Sequence, residues 1–490
     1  MSSTRARLLL IAVFALGVRL VTTPEVGTGG DAIIKWWNGK VLLGVAEGEW
    51  EWSHHTTRMG VMLPMLASQY LLGSKPVFYF VPTFAISVVQ TVLMFAVASR
   101  VAGPAWGFWA AVALVLHPQM VISGAQLLPG AYSSTYLLAC TWFLLAYRDA
   151  KGDGTAPLLC AALAFFLAYL TKLSNALYVP GFALALWGWR RRPRDLFVFA
   201  GAVASLIALE FGLYRSFAGT DRLLIIEQAG MVNPIDSWTQ LFGRYAVLPW
   251  FWPPVLLAYV VAALALATEA IRGRLDGREL GVMWLPASFL LGITFALRSI
   301  DPLVPAQAFF SRYFTSALPF FILVIVLFAK RLVERLPVAV VVRPRTVAGS
   351  ATVLALLLVG QAALRFPGYD EHPMVRLAAD SSTVAEFASG TPVVSFDGRG
   401  WAAKAWMQLY WNESVPSVRA ARFGADGLKG FWYGLADESS PVRQQLETAE
   451  YDGDLITVEA RLLPNSDTLG FRVGHMRLDP ELRARLRGAE

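Results

Sequence analysis

The chain has 490 residues, 56% of them hydrophobic and 16% charged, with a mean hydropathy of +0.50. Soluble domains carry about a quarter charged residues, so the composition excludes an ordinary soluble enzyme and reads as a polytopic membrane protein. The net charge of +7 is modest and suits arginines anchoring cytoplasmic loops, not nucleic-acid binding. The two cysteines, Cys140 and Cys160, lie in apolar runs, so neither a disulfide framework nor a Cys/His metal cluster is expected.

MSSTRARLLLIAVFALGVRL has the basic start and short apolar core of a secretory signal. VTTPEV follows where a small-x-small cleavage site would stand, so a retained first helix is expected. A span takes about 20 mostly apolar residues. Candidates lie near 7–23, 77–99, 104–124, 131–148, 155–171, 174–189, 196–216, 247–270, 281–297, 314–330 and 346–364. Arg5 and Arg7, Arg100, Arg148 with Lys151, RRRPR at 190–194, RGRLDGR at 272–278 and KRLVER at 330–335 fall in alternate connections. That alternation is the pattern of cytoplasmic loops. It predicts a cytoplasmic N-terminus and an extracytoplasmic tail.

The first outer connection, 23–76, is long and holds GVMLPMLASQYLLG. This stretch is short for a span and interrupted by proline, so it is expected to lie flat at the interface. The connection at about 217–246 mixes acids with arginines. From residue 366 the composition turns charged. TPVVSF and DLITVEARL read there as strands, and STVAEFA, GWAAKAWMQLYW and SPVRQQLETAE as helices. The expected architecture is an all-α polytopic bundle of about eleven transmembrane helices over 1–365, with an extracytoplasmic α/β domain over 366–490. No internal repeat stands out, and the tail shows no glycine-rich phosphate loop.

Several stretches, in order, resemble the GT-C glycosyltransferases, integral membrane enzymes that use polyprenyl-phosphate sugars, among them protein mannosyltransferases and the lipid A aminoarabinose transferase. LGVRL followed by GGDAIIKWWNGKVLLG looks like the family's arginine, acid and following helix. HHTTRMGVMLPMLASQYLLG looks like its second juxtamembrane segment, and HPQMVISGAQLLPGAYSSTYLLA like its third outer turn. LAYLTKLSNALYVPG and SRYFTSALPFF look like the lysine-bearing and Arg-Tyr-bearing turns of the polyprenyl-phosphate members. The resemblance covers most of 1–330. It implies an inverting glycosyltransferase at the outer face of the plasma (inner) membrane, with a polyprenyl-phosphate-linked sugar as donor and a lipid, glycan or protein as acceptor.

The resemblance makes Asp31 the general base that takes a proton from the acceptor hydroxyl. By residue type alone, Asp31 serves equally as a solvated loop acid or the N-cap of the helix after it. Lys172, Arg215 and Arg312 with Tyr313 are candidates for the donor phosphate, against the simpler reading of side chains snorkelling to the interface. His54, His55, Arg58 and Glu227 are candidates for acceptor or sugar, and Glu25, Asp221 and Asp236 are reserve acids. Arg19 is costly in lipid and should face a polar interior. Trp36, Trp37, Trp50 and Trp52 could stack on a sugar, although interfacial belts account for most such residues. Many family members carry a second acid after the proline of the third outer turn; LLPGAYSS has Gly130 there. A metal-holding carboxylate pair is therefore not evident, and a divalent metal stays open. Two rivals remain. A polysaccharide polymerase or ligase would take a diphosphate-linked donor, while a transporter or flippase would place its polar residues at the bilayer midplane.

Overall fold

A computed structural model describes residues 3–22, 30–46, 50, 52–150, 154–190, 192–228, 237–300, 303–305 and 311–335, together with four strands of the C-terminal region. In chain order the helices are α1 (Ser3–Thr22), α2 (Gly30–Leu42), α3 (Met59–Leu72), α4 (Phe80–Ala102), α5 (Pro104–Leu116), α6 (Pro118–Ala125), α7 (Pro129–Asp149) and α8 (Ala156–Thr171). They continue as α9 (Val179–Arg190), α10 (Pro193–Ala218), α11 (Arg222–Gln228), α12 (Trp238–Ala246), α13 (Trp252–Ile271) and α14 (Gly277–Phe295). A hairpin of β1 (Leu297–Ile300) and β2 (Leu303–Pro305) then leads to α15 (Leu318–Arg335). The expected segments from 7–23 to 314–330 each fall on helix, and 346–364 lies outside the described residues. Short 3₁₀ turns, Leu173–Tyr178 and Ser311–Ser316, replace the first α-turns expected for two of them. The β-hairpin and the helices α11 and α12 were not expected.

Among these helices, α4, α10 and α13 are each long and apolar enough to cross a membrane. α5 and α6 meet the same requirement together, as one span bent by 67°. The bend has a local cause. Pro118 drives the preceding residue out of the helical region, and His117 takes φ −64° and ψ 128°. Its Nδ1 accepts the Gln119 N–H at 3.2 Å, capping the new helix. The chain is a multi-pass membrane protein.

Two compact units divide the chain. The first comprises Met1–Thr23, Glu51–Ala67 and Phe80–Ala363. Its core holds Met94, Leu138, Phe165, Phe182, Phe199, Phe289 and Phe320, with Tyr178 stacked on Phe289 at 4.9 Å between ring centres. The basic connections read from the sequence meet at one end of this unit. Arg278 bonds the Arg100 carbonyl at 3.0 Å and Asp149 at 2.9 Å. Arg331 pairs with Glu279, and Arg335 with Glu269. Tyr147 donates to Asp195 at 2.8 Å on the same side. An Asp276–Glu279 capping box starts α14 there. Lys172, Arg222 and Arg312 follow or precede the opposite helix ends.

The second unit comprises Pro24–Trp50, Ser68–Tyr79 and Leu364–Glu490. Within it, Gln69 Nε2 donates to the Trp36 carbonyl at 2.9 Å, and Trp36 meets Tyr79 edge to face at 5.6 Å. Its strands are β3 (Val393–Ser395), β4 (Gly430–Leu435), β5 (Val458–Leu462) and β6 (Thr468–Val473), in the order β3-β4-β6-β5. β3 and β4 pair in parallel and the other neighbours antiparallel. β3 and β5 fall inside TPVVSF and DLITVEARL. The sequence reading assigned no strand to β4 or β6, GFWYGL and TLGFRV, whose glycines weaken a strand pattern. The three helices expected in the tail lie outside the described residues.

Candidate functional site

The site is built at the end of the first unit opposite the basic connections. α8 stops at Thr171, and Lys172 continues in extended conformation, φ −158° and ψ 122°. The chain then turns through Leu173–Tyr178, where Asn175 Nδ2 donates to the Ala168 carbonyl at 2.7 Å and to Ser133 Oγ at 2.9 Å. These bonds occupy a C-terminal carbonyl of α8 and tie the turn to α7. Lys172 is thereby held at a fixed exit from the helix. Its Nζ lies 3.4 Å from the centre of the Tyr313 ring, a cation–π contact.

Two further cations share this neighbourhood. Burial, then the nearby charges of Arg58 and Arg312, hold the Lys172 ammonium well below the usual lysine value. The three come from the start of α3, the end of α8 and the turn before α15. Arg58 is brought close because α3 packs on α8 through Gly60. A Cβ there would fall 2.6 Å from the Leu167 carbonyl and collide with Thr171. Tyr136 of α7 donates to the Gly60 carbonyl at 2.9 Å, and Tyr214 of α10 to the Thr57 carbonyl at 3.1 Å.

Just before Arg58, Ser53 and Thr56 close a small turn, with Ser53 N–H donating to Thr56 Oγ1 at 2.8 Å. His54 and His55 are buried in it, ring centres 3.6 Å apart. Trp52 meets Tyr214 edge to face at 5.6 Å.

Arg215 is 56% exposed, 3.8 Å from Asp221 and over the Phe211 ring. Asp31 lies in the first turn of α2, and Glu227 in the last turn of α11. Asp236 and Glu25 fall outside the described residues. Arg19 is fully buried and donates from Nε to Ser87 Oγ at 2.6 Å, the polar interior expected for it.

The sequence reading passed over Arg222, Glu210, Tyr214, Tyr136 and Asn175. Arg222 is the informative omission: next to the reserve acid Asp221, it is buried and paired with Glu210 at 3.0 Å.

The position of the family's second acid is closed. A Cβ on Gly130 would lie 2.6 Å from Thr315 Cγ2 and 2.8 Å from Thr315 Cβ. A carboxylate does not fit there without displacing Thr315, so residue 130 offers no metal ligand. Among the described residues no group of three or more His, Cys, Asp or Glu side chains is placed to hold a metal. Overpacking a well-filled site costs about 1–3 kcal/mol. Gly130→Ala should therefore lower thermal stability in detergent, and Thr315→Gly in the same chain should recover part of it. An unchanged melting temperature would show that the contact yields freely.

No family model and no curated relative matches the sequence. Solved structures match its fold. ArnT from Cupriavidus metallidurans bound to undecaprenyl phosphate superposes with a TM-score of 0.57 at 12% identity, over 95% of this chain and 97% of its own. The archaeal oligosaccharyltransferase AglB from Archaeoglobus fulgidus, in complex with an inhibitory peptide and a dolichol-phosphate, gives 0.51 at 12% identity, over 98% and 75%. The mycobacterial arabinofuranosyltransferase AftD gives 0.50 at 17% identity, over 96% and 42%. At such identities the likeness is one of fold. This chain has the GT-C fold of those structures, as the motif order implied.

Proposed function

We propose that this GT-C protein is an inverting glycosyltransferase, moving a monosaccharide from a polyprenyl-phosphate carrier to an acceptor hydroxyl at the outer face of the plasma membrane. One observation carries the reading: Arg58, Lys172 and Arg312, from three separate elements, stand near enough for the charges of the two arginines to act on Lys172, which lies over the Tyr313 ring. Like charges repel, so such a cluster is stabilised by an anion of high charge. The solved structures of the same fold with undecaprenyl phosphate and dolichol-phosphate support a lipid-linked phosphate as that anion.

The acceptor oxygen attacks the anomeric carbon as the bond from that carbon to the phosphate oxygen breaks. The electron pair stays on the phosphate, the acceptor proton passes to Asp31, and the configuration inverts. The donor phosphodiester carries one negative charge and the released polyprenyl phosphate two. Charge grows at the phosphate during the step, and the three cations, which already bind the donor phosphate, stay in place to meet it. The acceptor is a lipid, a glycan or a protein, with His54, His55 and Glu227 as candidate contacts.

A transfer assay with mono- and diphosphate-linked forms of the same sugar tests the reading. Turnover with the monophosphate donor is expected. Turnover with the diphosphate donor alone would favour a polymerase or ligase.

The orientation has its own test. Val247, 73% exposed, and Arg274, 61% exposed, lie beyond opposite ends of α13. In intact cells Val247→Cys should react with an impermeant thiol reagent and Arg274→Cys should not. The reverse pattern would place the cation cluster on the cytoplasmic side and remove the outer-face reaction.

A further inference from the structure

Glu210 and Tyr214 lie one turn apart in α10, and both are buried. Beyond them Gly219 ends the helix in the left-handed conformation, φ +67°, a cap that suits glycine. The chain doubles back, and Arg222 at the start of α11 re-enters the unit. Its Nη1 donates to Glu210 Oε1 at 3.0 Å. Its Nη2 donates to the Leu170 carbonyl at 2.9 Å, and both Nη atoms reach the Tyr169 carbonyl at 3.3 Å.

Those carbonyls stand two and three residues before Lys172, at the C-terminus of α8. Helix ends leave such carbonyls without intrahelical donors, and a cation there is favourable to the helix dipole. A guanidinium 52 residues away in sequence fills the position. Tyr214, on the same side of α10 as Glu210, holds the Thr57 carbonyl at 3.1 Å. Thr57 directly precedes Arg58. One turn of α10 thus grips the chain beside both cations, through Tyr214 for Arg58 and through Glu210 and Arg222 for Lys172.

We infer that Glu210, Tyr214 and Arg222 form a positioning clamp that fixes the separation of Arg58 and Lys172 and so sets affinity for the donor phosphate. The cations repel one another, and the clamp adds to the Asn175 and Tyr136 bonds that hold the chain beside them. The inference rests on the proposed function for its kinetic consequence, but the geometry is separable from it.

The test compares Glu210→Gln and Tyr214→Phe with Asp195→Asn, which replaces the buried carboxylate that accepts from Tyr147 by a neutral amide at the far end of the same helix. Donor KM should rise about tenfold or more in the first two, as the charged contacts to the donor phosphate are loosened. Their kcat should change less than about twofold. Asp195→Asn should leave donor KM unchanged even where it lowers thermal stability. In a Lys172→Ala background, Glu210→Gln should add little, because the residue it acts through is gone.

Spin labels at Met59 and Leu173, in the full-length protein, give a readout that needs no transfer. Their distance distribution should broaden in Glu210→Gln and not in Asp195→Asn. An unbroadened distribution overturns the clamp whatever the activity. A broadened distribution in a protein that neither transfers sugar nor binds undecaprenyl phosphate leaves the clamp standing and removes the proposed function.

Discussion

Asp31→Asn should lower turnover at least about a hundredfold, the lower part of the 10²–10⁴ range for a general base, with donor affinity near that of the parent. Asparagine keeps the size and the capping capacity of aspartate but accepts no proton at neutral pH. Asp31 is in the first turn of α2. The measurement is single-turnover transfer at saturating donor and acceptor, with donor affinity taken separately from binding of the carrier lipid. Turnover within about threefold of the parent lies far below a general base's contribution. It would remove Asp31 from the chemistry and pass the role to His54, His55 or Glu227. Equal losses in donor affinity and turnover would make it a structural cap instead.

The second large effect belongs to the leaving group. Lys172→Ala and Arg312→Ala should each weaken donor use by about 1.5–3 kcal/mol, the range for hydrogen bonds to charged groups, or roughly 10- to 150-fold in donor KM. A cation that merely snorkels to the headgroups contributes far less, and Arg215→Ala, exposed and facing Asp221, is the internal control with almost no change expected. The pH dependence follows from the same cluster. Burial and the charges of Arg58 and Arg312 lower the pKa of Lys172, whereas a bound phosphate favours its charged form. Donor binding therefore takes up a proton wherever Lys172 would otherwise be neutral, and affinity falls as pH rises through its pKa. Lys172→Arg, charged at every accessible pH, should abolish that alkaline loss. Full donor affinity in Lys172→Ala, or an unchanged alkaline limb in Lys172→Arg, would reduce the cluster to membrane anchors.

Helices could be read from the sequence because apolar length is a local property. Segments such as 77–99 and 247–270 cannot leave their backbone polar groups unpaired in lipid, so they become α4 and α13 with little choice. The Asp276–Glu279 capping box at the start of α14 is a local signal as well, and the sequence reading did not use it. The strands β4 and β6 were missed for the converse reason: their glycines weaken the local pattern, and pairing with neighbours makes them strands.

For the site, residue type and motif order drew attention to Lys172, Arg312, Tyr313 and Arg58. Arg215 and Arg222, seven residues apart, had to be separated by the fold. The Gly219 turn sends Arg222 back into the unit and leaves Arg215 outside. Sequence alone determined that the chain is a membrane bundle with cations at its helix ends. Which of them converge, and what holds them, was decided by bonds such as Tyr214 to Thr57, 157 residues apart. Such a bond depends on where two side chains point after the helices have packed, and no local periodicity encodes that direction.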